Sequence, residues 1–179
     1  MTVKKINDWA MPYVKQFRTY IDIGAHDGDT CIEFVNTFQR VYAFEPNPES
    51  IQLIPDTIKK FPFALGNKRE ELVLTIPDNG YNDNRHGSIV RHVSGLKQYS
   101  VSVRTLDGFE FKEVDLIKID VEGMELQVLE GAIHTIQKWK PVVLFENKRS
   151  RYNEKLVDFF EQFSYNIKQY KSDTVAYYE

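Results

Sequence analysis

The run Asp22-Ile23-Gly24-Ala25-His26-Asp27-Gly28-Asp29 sets two glycines among carboxylates directly after an apolar segment. Glycine at such a point lets the backbone take φ > 0 and approach a ligand closely. An acidic residue, Glu45, follows about 20 residues later, the spacing at which a carboxylate grips ribose hydroxyls. Two cofactor classes share this pattern, and charge separates them. A dinucleotide fingerprint G-x-G-x-x-G needs further glycines where this chain has His26 and Asp29. The pyrophosphate of a dinucleotide would also be repelled by Asp22, Asp27 and Asp29. S-adenosylmethionine has no phosphate, and its ammonium and cationic sulfonium suit acidic surroundings. The indicated chemistry is methyl transfer, with S-adenosylhomocysteine as product, rather than hydride transfer. A tight turn with acidic helix-capping residues is the bland alternative. It accounts for Gly24 alone better than for Asp22, Gly24, Gly28 and Glu45 together.

A second group of carboxylates belongs to the acceptor side. Asp120, Glu122 and Glu146 end two apolar strands, and in a doubly wound sheet ligands bind outside the carboxyl ends of the strands. Donor methyl and acceptor must be aligned, and a hydroxyl acceptor gains from a group that takes its proton. Asp120 is the first candidate for that role and Glu122 the second. The alternative for Asp120 is capping of the helix that follows. Glu125 and Glu130 read as the solvated part of that helix. Residues 77–98 carry Arg85, His86, Arg91 and His92, with Ser88 after Gly87. Such cations suit an anionic sugar, acyl or phosphate group, or simply solvate a loop. No metal motif is visible.

These positions require a scaffold of alternating strands and helices. Residues 18–23 read as a buried strand ending at Gly24. In the helix that follows, Thr30 and Glu33 match a capping box, with Cys31, Phe34, Val35 and Phe38 as its apolar stripe. Val41–Phe44 is a second strand. Asn47-Pro48 looks like a helix start. Phe61–Leu65 reads as a third strand, and residues 71–76 and 99–103 as antiparallel strands flanking the long loop. Val114–Ile119 is a strand, Met124–Lys138 a helix and Pro141–Phe145 a strand. A helix over 153–163 and a hairpin over 165–170 and 174–178 close the chain. This alternation predicts a mostly parallel sheet covered on both faces.

Composition narrows the class further. The 179 residues suit one domain, and 42% hydrophobic with 27% charged residues is ordinary for a globular chain. A net charge of -3 argues against general nucleic-acid binding. Cys31 is the single cysteine, and no Cys/His cluster has zinc spacing. No apolar run approaches a membrane span or a signal peptide, so a cytoplasmic chain is the expectation. Oligomeric state is open.

The loop above, Tyr42-Ala43-Phe44-Glu45-Pro46-Asn47, Val103-Arg104-Thr105-Leu106-Asp107, Ile117-Lys118-Ile119-Asp120-Val121-Glu122-Gly123-Met124-Glu125-Leu126, Val128–Ala132 and Pro141–Glu146 together resemble the FkbM family of methyltransferases. The order and spacing match across roughly residues 20–147. The resemblance implies an α/β Rossmann-like fold, a doubly wound sheet of class I order 3-2-1-4-5-7-6 with an antiparallel last strand. It implies that Asp22, Gly24, Ala25 and His26, in the loop that also holds Gly28 and Thr30, border the methionine part of the cofactor. Glu45 would hold the ribose, with Pro46, Asn47, Ala64 and Leu65 near the adenosine. The segment between Glu45 and Ala64 is short for the family, and the family often has asparagine where this chain has His26. The expected reaction is methylation of a hydroxyl oxygen on a small molecule, sugar or glycan, with Arg85, His86, Ser88, Arg91 and Glu146 toward the acceptor. The alternatives are an RNA ribose or protein methyltransferase and a non-catalytic cofactor-binding subunit. Against base amino-group methylation, Asp120-Val121-Glu122-Gly123 replaces the Asn/Asp-Pro-Pro-aromatic motif that reaction uses.

Overall fold

The structure, a computed structural model, describes residues 1–77, 96–146, 153–171 and 173–179. Its strands are β1 (Thr19–Ile23), β2 (Arg40–Phe44), β3 (Lys59–Phe61), β4 (Ala64–Leu65), β5 (Glu70–Pro77), β6 (Leu96–Arg104), β7 (Val114–Ile119), β8 (Val142–Glu146), β9 (Asn166–Tyr170) and β10 (Asp173–Tyr177). The helices are α1 (Val3–Lys5), α2 (Asp29–Phe34), α3 (Glu125–Glu130), α4 (Ile133–Trp139) and α5 (Asn153–Glu161). The main sheet has the order β3-β2-β1-β7-β8-β10-β9. Counted along the chain within that sheet alone, this is 3-2-1-4-5-7-6. The pairs from β3 through β8 are parallel, and β10 is antiparallel to both β8 and β9.

Strands β1, β7 and β8 are buried at every residue, as expected of a parallel sheet covered on both faces. One face packs Ile21, Ile117 and Phe145 against Val128, Leu129 and Ile136 of α3 and α4 and Phe160 of α5. The other packs Tyr20, Leu116 and Leu144 against Phe34 of α2 and against Ile6 and Ala10 of the helical N-terminal segment. A small second sheet, β4-β6-β5, stands beside the main one. Its β5–β6 pair is antiparallel, as the alternation of residues 71–76 and 99–103 predicts.

Four local expectations are corrected. The predicted helix over 124–138 breaks at Gly131, where a Cβ would overlap the carbonyl oxygen of Gly66. The Asp107 carboxylate then caps α4, accepting the N–H groups of His134 (2.9 Å) and Thr135 (2.8 Å). Phe61–Leu65 is two strands: Phe61 pairs with β2, whereas Ala64 turns away to pair with Val103 of β6. Pro62 sits at the joint. The helix after Asn47 shrinks to a 3-10 turn at Ile51–Leu53. Finally, Thr30 does not cap α2. That helix starts from Gly28 at φ 82°, and the Thr30 hydroxyl bonds Asp22 instead.

Candidate functional site

A cavity of about 330 Å³ opens at the carboxyl ends of β1, β2, β7 and β8. That volume is within the range of small-molecule sites, about 300–1,000 Å³. Its wall begins with the loop after β1. The N–H groups of Gly24 and Ala25 both donate to the Phe44 carbonyl at 3.0 Å, which ties the loop to β2. Asp120 N–H donates to the Ile23 carbonyl at 2.9 Å, which ties β7 to β1. Gly24 has φ 79°, and a Cβ there would overlap the Asp120 carbonyl oxygen. Only glycine meets both conditions without strain.

Glu45 is buried and accepts two backbone N–H groups at 2.8 Å, one from His26 and one from Asn47. Burial pushes its carboxyl above the ordinary glutamate range, and those two bonds pull it back only in part. His26 contributes through its backbone at φ 53°, while its ring lies 3.4 Å from the Asp27 carboxylate. The Asn47 side chain is committed locally, donating to Ser50 Oγ and accepting Glu49 N–H. Phe63, Ala64, Leu65 and Leu74 give the adjoining wall its apolar character.

The opposite end is acidic. Asp120, Glu122 and Glu146 line it. The amino group of Met1 pairs with Asp120. Asp120 therefore faces the cavity, and the helix after it begins only at Glu125. Glu125 is half-buried rather than solvated. It accepts the Gly123 N–H at 3.1 Å, and burial, with Glu146 and Glu122 adding like charge, raises its carboxyl above the usual range. Glu130 is exposed, as expected, and accepts Asn67 Nδ2.

Gly24, Ala25, His26, Thr30, Glu45, Pro46, Asn47, Ala64, Leu65, Asp120, Glu122 and Glu146 all line this one cavity. Asp22 and Gly28 stand behind the wall. The Asp22 carboxylate is fully buried and accepts bonds from Lys118 Nζ (2.6 Å), the Tyr20 hydroxyl (3.1 Å) and the Thr30 hydroxyl. The Cα of Gly28 faces Ile54. Arg85, His86, Ser88 and Arg91 lie outside the described residues. The sequence reading missed Lys118, Phe63 and Leu74. Lys118 did leave a signal, a lysine in the buried strand directly before Asp120. Among the described residues, no group of three or more His, Cys, Asp or Glu side chains is arranged to hold a metal ion, and no helix is long and apolar enough to cross a membrane.

Residues 22–169 match the Methyltransferase FkbM domain. The hexuronic acid methyltransferase AglP of Haloferax volcanii is 27% identical over 130 residues, 69% of this chain and 53% of that protein. The 2-O-methyltransferase NoeI of Sinorhizobium fredii is 27% identical over 143 residues, 66% of this chain and 58% of that protein. The chain thus spans little more than half the length of these relatives. Among solved structures, a methyltransferase FkbM from Methylobacillus flagellatus superposes with a TM-score of 0.61 at 18% identity. It covers 90% of this chain and 43% of that one. A precorrin-6y C5,15-methyltransferase from Geobacter metallireducens gives 0.58 at 12% identity, covering 100% and 90%. Both share the fold.

Proposed function

The chain belongs to the FkbM methyltransferase family, and from that premise we propose that it binds S-adenosylmethionine in the cavity and methylates a hydroxyl oxygen of a small molecule, sugar or glycan. The observation that carries this reading is the polarity of one continuous cavity. A buried carboxylate held by two backbone amides adjoins an apolar wall at one side, and three carboxylates stand at the other. The residues present fit the cofactor. Each Glu45 oxygen keeps a lone pair for a ribose hydroxyl beyond the one its backbone bond uses. Phe63, Ala64 and Leu65 offer apolar contact to a purine, with Pro46 and Asn47 beside them. Gly24, Ala25 and His26 border the methionine end, where acidic surroundings favour cationic groups and disfavour a pyrophosphate.

When bound, the cofactor supplies an electrophilic methyl group on a cationic sulfur. The protein's part is alignment and proton removal. Asp120 would take the proton of the acceptor hydroxyl while the hydroxyl oxygen bonds the methyl carbon and the carbon–sulfur bond breaks, its electron pair staying on the neutral sulfur of the departing S-adenosylhomocysteine. Glu122 or Glu146 would orient the acceptor. The similarity to a hexuronic acid methyltransferase and a 2-O-methyltransferase supports a carbohydrate hydroxyl as acceptor. The cations Arg85, His86 and Arg91, with Ser88, are proposed to meet an acidic sugar. The test is transfer from methyl-labelled cofactor to a panel of uronic-acid and neutral glycans, RNA and protein, with Asp120→Asn as control. Label on a glycan hydroxyl, lost in the variant, is expected. Label on RNA or protein, or none on any acceptor, contradicts the assignment.

A further inference from the structure

Burying an ammonium is costly unless it is paired and hydrogen-bonded. Lys118 is 3% exposed in the middle of the sheet, directly in register with Asp22 across the β1–β7 pair. One carboxylate would satisfy the need for a partner, and Asp22 Oδ1 at 2.6 Å provides it. The ammonium reaches further than that. It donates to the Gly24 carbonyl at 3.2 Å and lies 3.8 Å from Asp120 Oδ2. Asp120 is two residues on along the chain and shares its side of the strand. Gly24 and Asp120 both line the cavity.

Resting on the S-adenosylmethionine reading, we infer that Lys118 is a positioning residue for the amino-acid end of the cofactor. By bracing the Gly24 carbonyl from beneath, it fixes an acceptor for the cofactor's α-ammonium. Burial acts to lower the Lys118 pKa, but the charges of Asp22 and Asp120 outweigh it and leave the ammonium above its ordinary value. Lys118 therefore stays charged at neutral pH. Its charge alone repels a cationic ligand, so any contribution to affinity comes from geometry. Charge and geometry thus predict opposite signs.

The experiment is calorimetric titration of S-adenosylhomocysteine and of 5′-methylthioadenosine, which lacks the amino-acid end, into wild type, Lys118→Met and Lys118→Arg. Circular dichroism and melting temperature identify the folded variants. Lys118→Met weakens S-adenosylhomocysteine about tenfold or more, the effect of one lost hydrogen bond to a charged group. It leaves methylthioadenosine within about twofold. Lys118→Arg keeps the charge but not the point geometry of an ammonium, so it shows the same selective loss, and it carries the test alone if the methionine variant does not fold. Equal losses for both ligands would make Lys118 a general structural residue. Unchanged or tighter S-adenosylhomocysteine binding in Lys118→Met, or an arginine variant equal to wild type, would overturn positioning. A wild-type protein that binds neither ligand would overturn the cofactor reading itself, a separate result.

Discussion

The Glu45 carboxylate accepts the backbone N–H of His26 at 2.8 Å, so a side chain at the end of β2 sets the path of the loop after β1. Its other oxygen accepts the N–H of Asn47 at the same distance. Both oxygens are thus oriented by backbone, which would reduce the ordering cost of the ribose contact proposed for them.

Glu45→Gln places an amide NH₂ against one of those N–H donors and removes the charge. Hydrogen bonds to charged groups contribute about 1.5–3 kcal/mol, so S-adenosylhomocysteine affinity is expected to fall at least about tenfold. Calorimetry on a variant with wild-type circular dichroism checks this. Unchanged affinity would remove Glu45 from the site.

The pH dependence of binding follows from the same residue. Burial raises the Glu45 carboxyl, opposed by the Asn47 and His26 amides. A raised carboxyl favours the protonated folded state, so its contribution to stability is present at low pH and lost as pH rises through the folded pKa. Ribose hydroxyls and the two amides all donate, so binding needs the ionised form. Cofactor affinity is therefore expected to fall on acidification through the raised folded pKa of Glu45. The fall begins above the ordinary glutamate value of about 4.3. Titrations of S-adenosylhomocysteine from about pH 7 to about pH 5 are expected to show that decline, and Glu45→Gln to abolish it.

The two loop glycines differ in what surrounds them. A Cβ on Gly28 meets the Ile54 side chain at 3.2 Å, whereas one on Gly24 overlaps the backbone of Asp120. Both have positive φ, which costs an alanine about 1–2 kcal/mol. Denaturant unfolding is expected to show a loss of about that size for Gly28→Ala. Gly24→Ala is expected to lose more and to lose cofactor binding as well, because Asp120 has to move.

Asp107 gives the opposite pattern. It caps α4 through His134 and Thr135, including the Thr135 hydroxyl at 2.7 Å, and it is not part of the cavity wall. Asp107→Ala is expected to cost about 1–2 kcal/mol of stability and to leave S-adenosylhomocysteine affinity within about twofold. A large loss of affinity would show that the cap also shapes the site.

The residues that local pattern reveals are those whose partners are near in sequence or whose role is set by periodicity. Val114–Ile119 reads as a strand from its β-branched and aliphatic residues, and the strand has those very bounds. The Gly24 turn and the acidic end of β2 are legible for the same reason. Asp22 shows the limit. Its type and place suggest a ligand contact, but the partner that claims it, Lys118, lies 96 residues away and meets it only through β-pairing. At Gly131, where the helix breaks, the glycine itself is a local signal, but the close approach of the Gly66 backbone that excludes a Cβ there is not. Leu74 enters the wall from the small second sheet and Phe63 from the joint that leads into it, and no local pattern specifies how that sheet docks.

The most direct test of the central claim is calorimetric titration of S-adenosylmethionine, S-adenosylhomocysteine and NAD into the purified protein, with Glu45→Ala alongside. The sulfur nucleotides are expected to bind, NAD to give no binding heat, and the variant to lose the sulfur nucleotides. Absence of binding by both sulfur nucleotides, or binding of NAD in their place, would contradict the account.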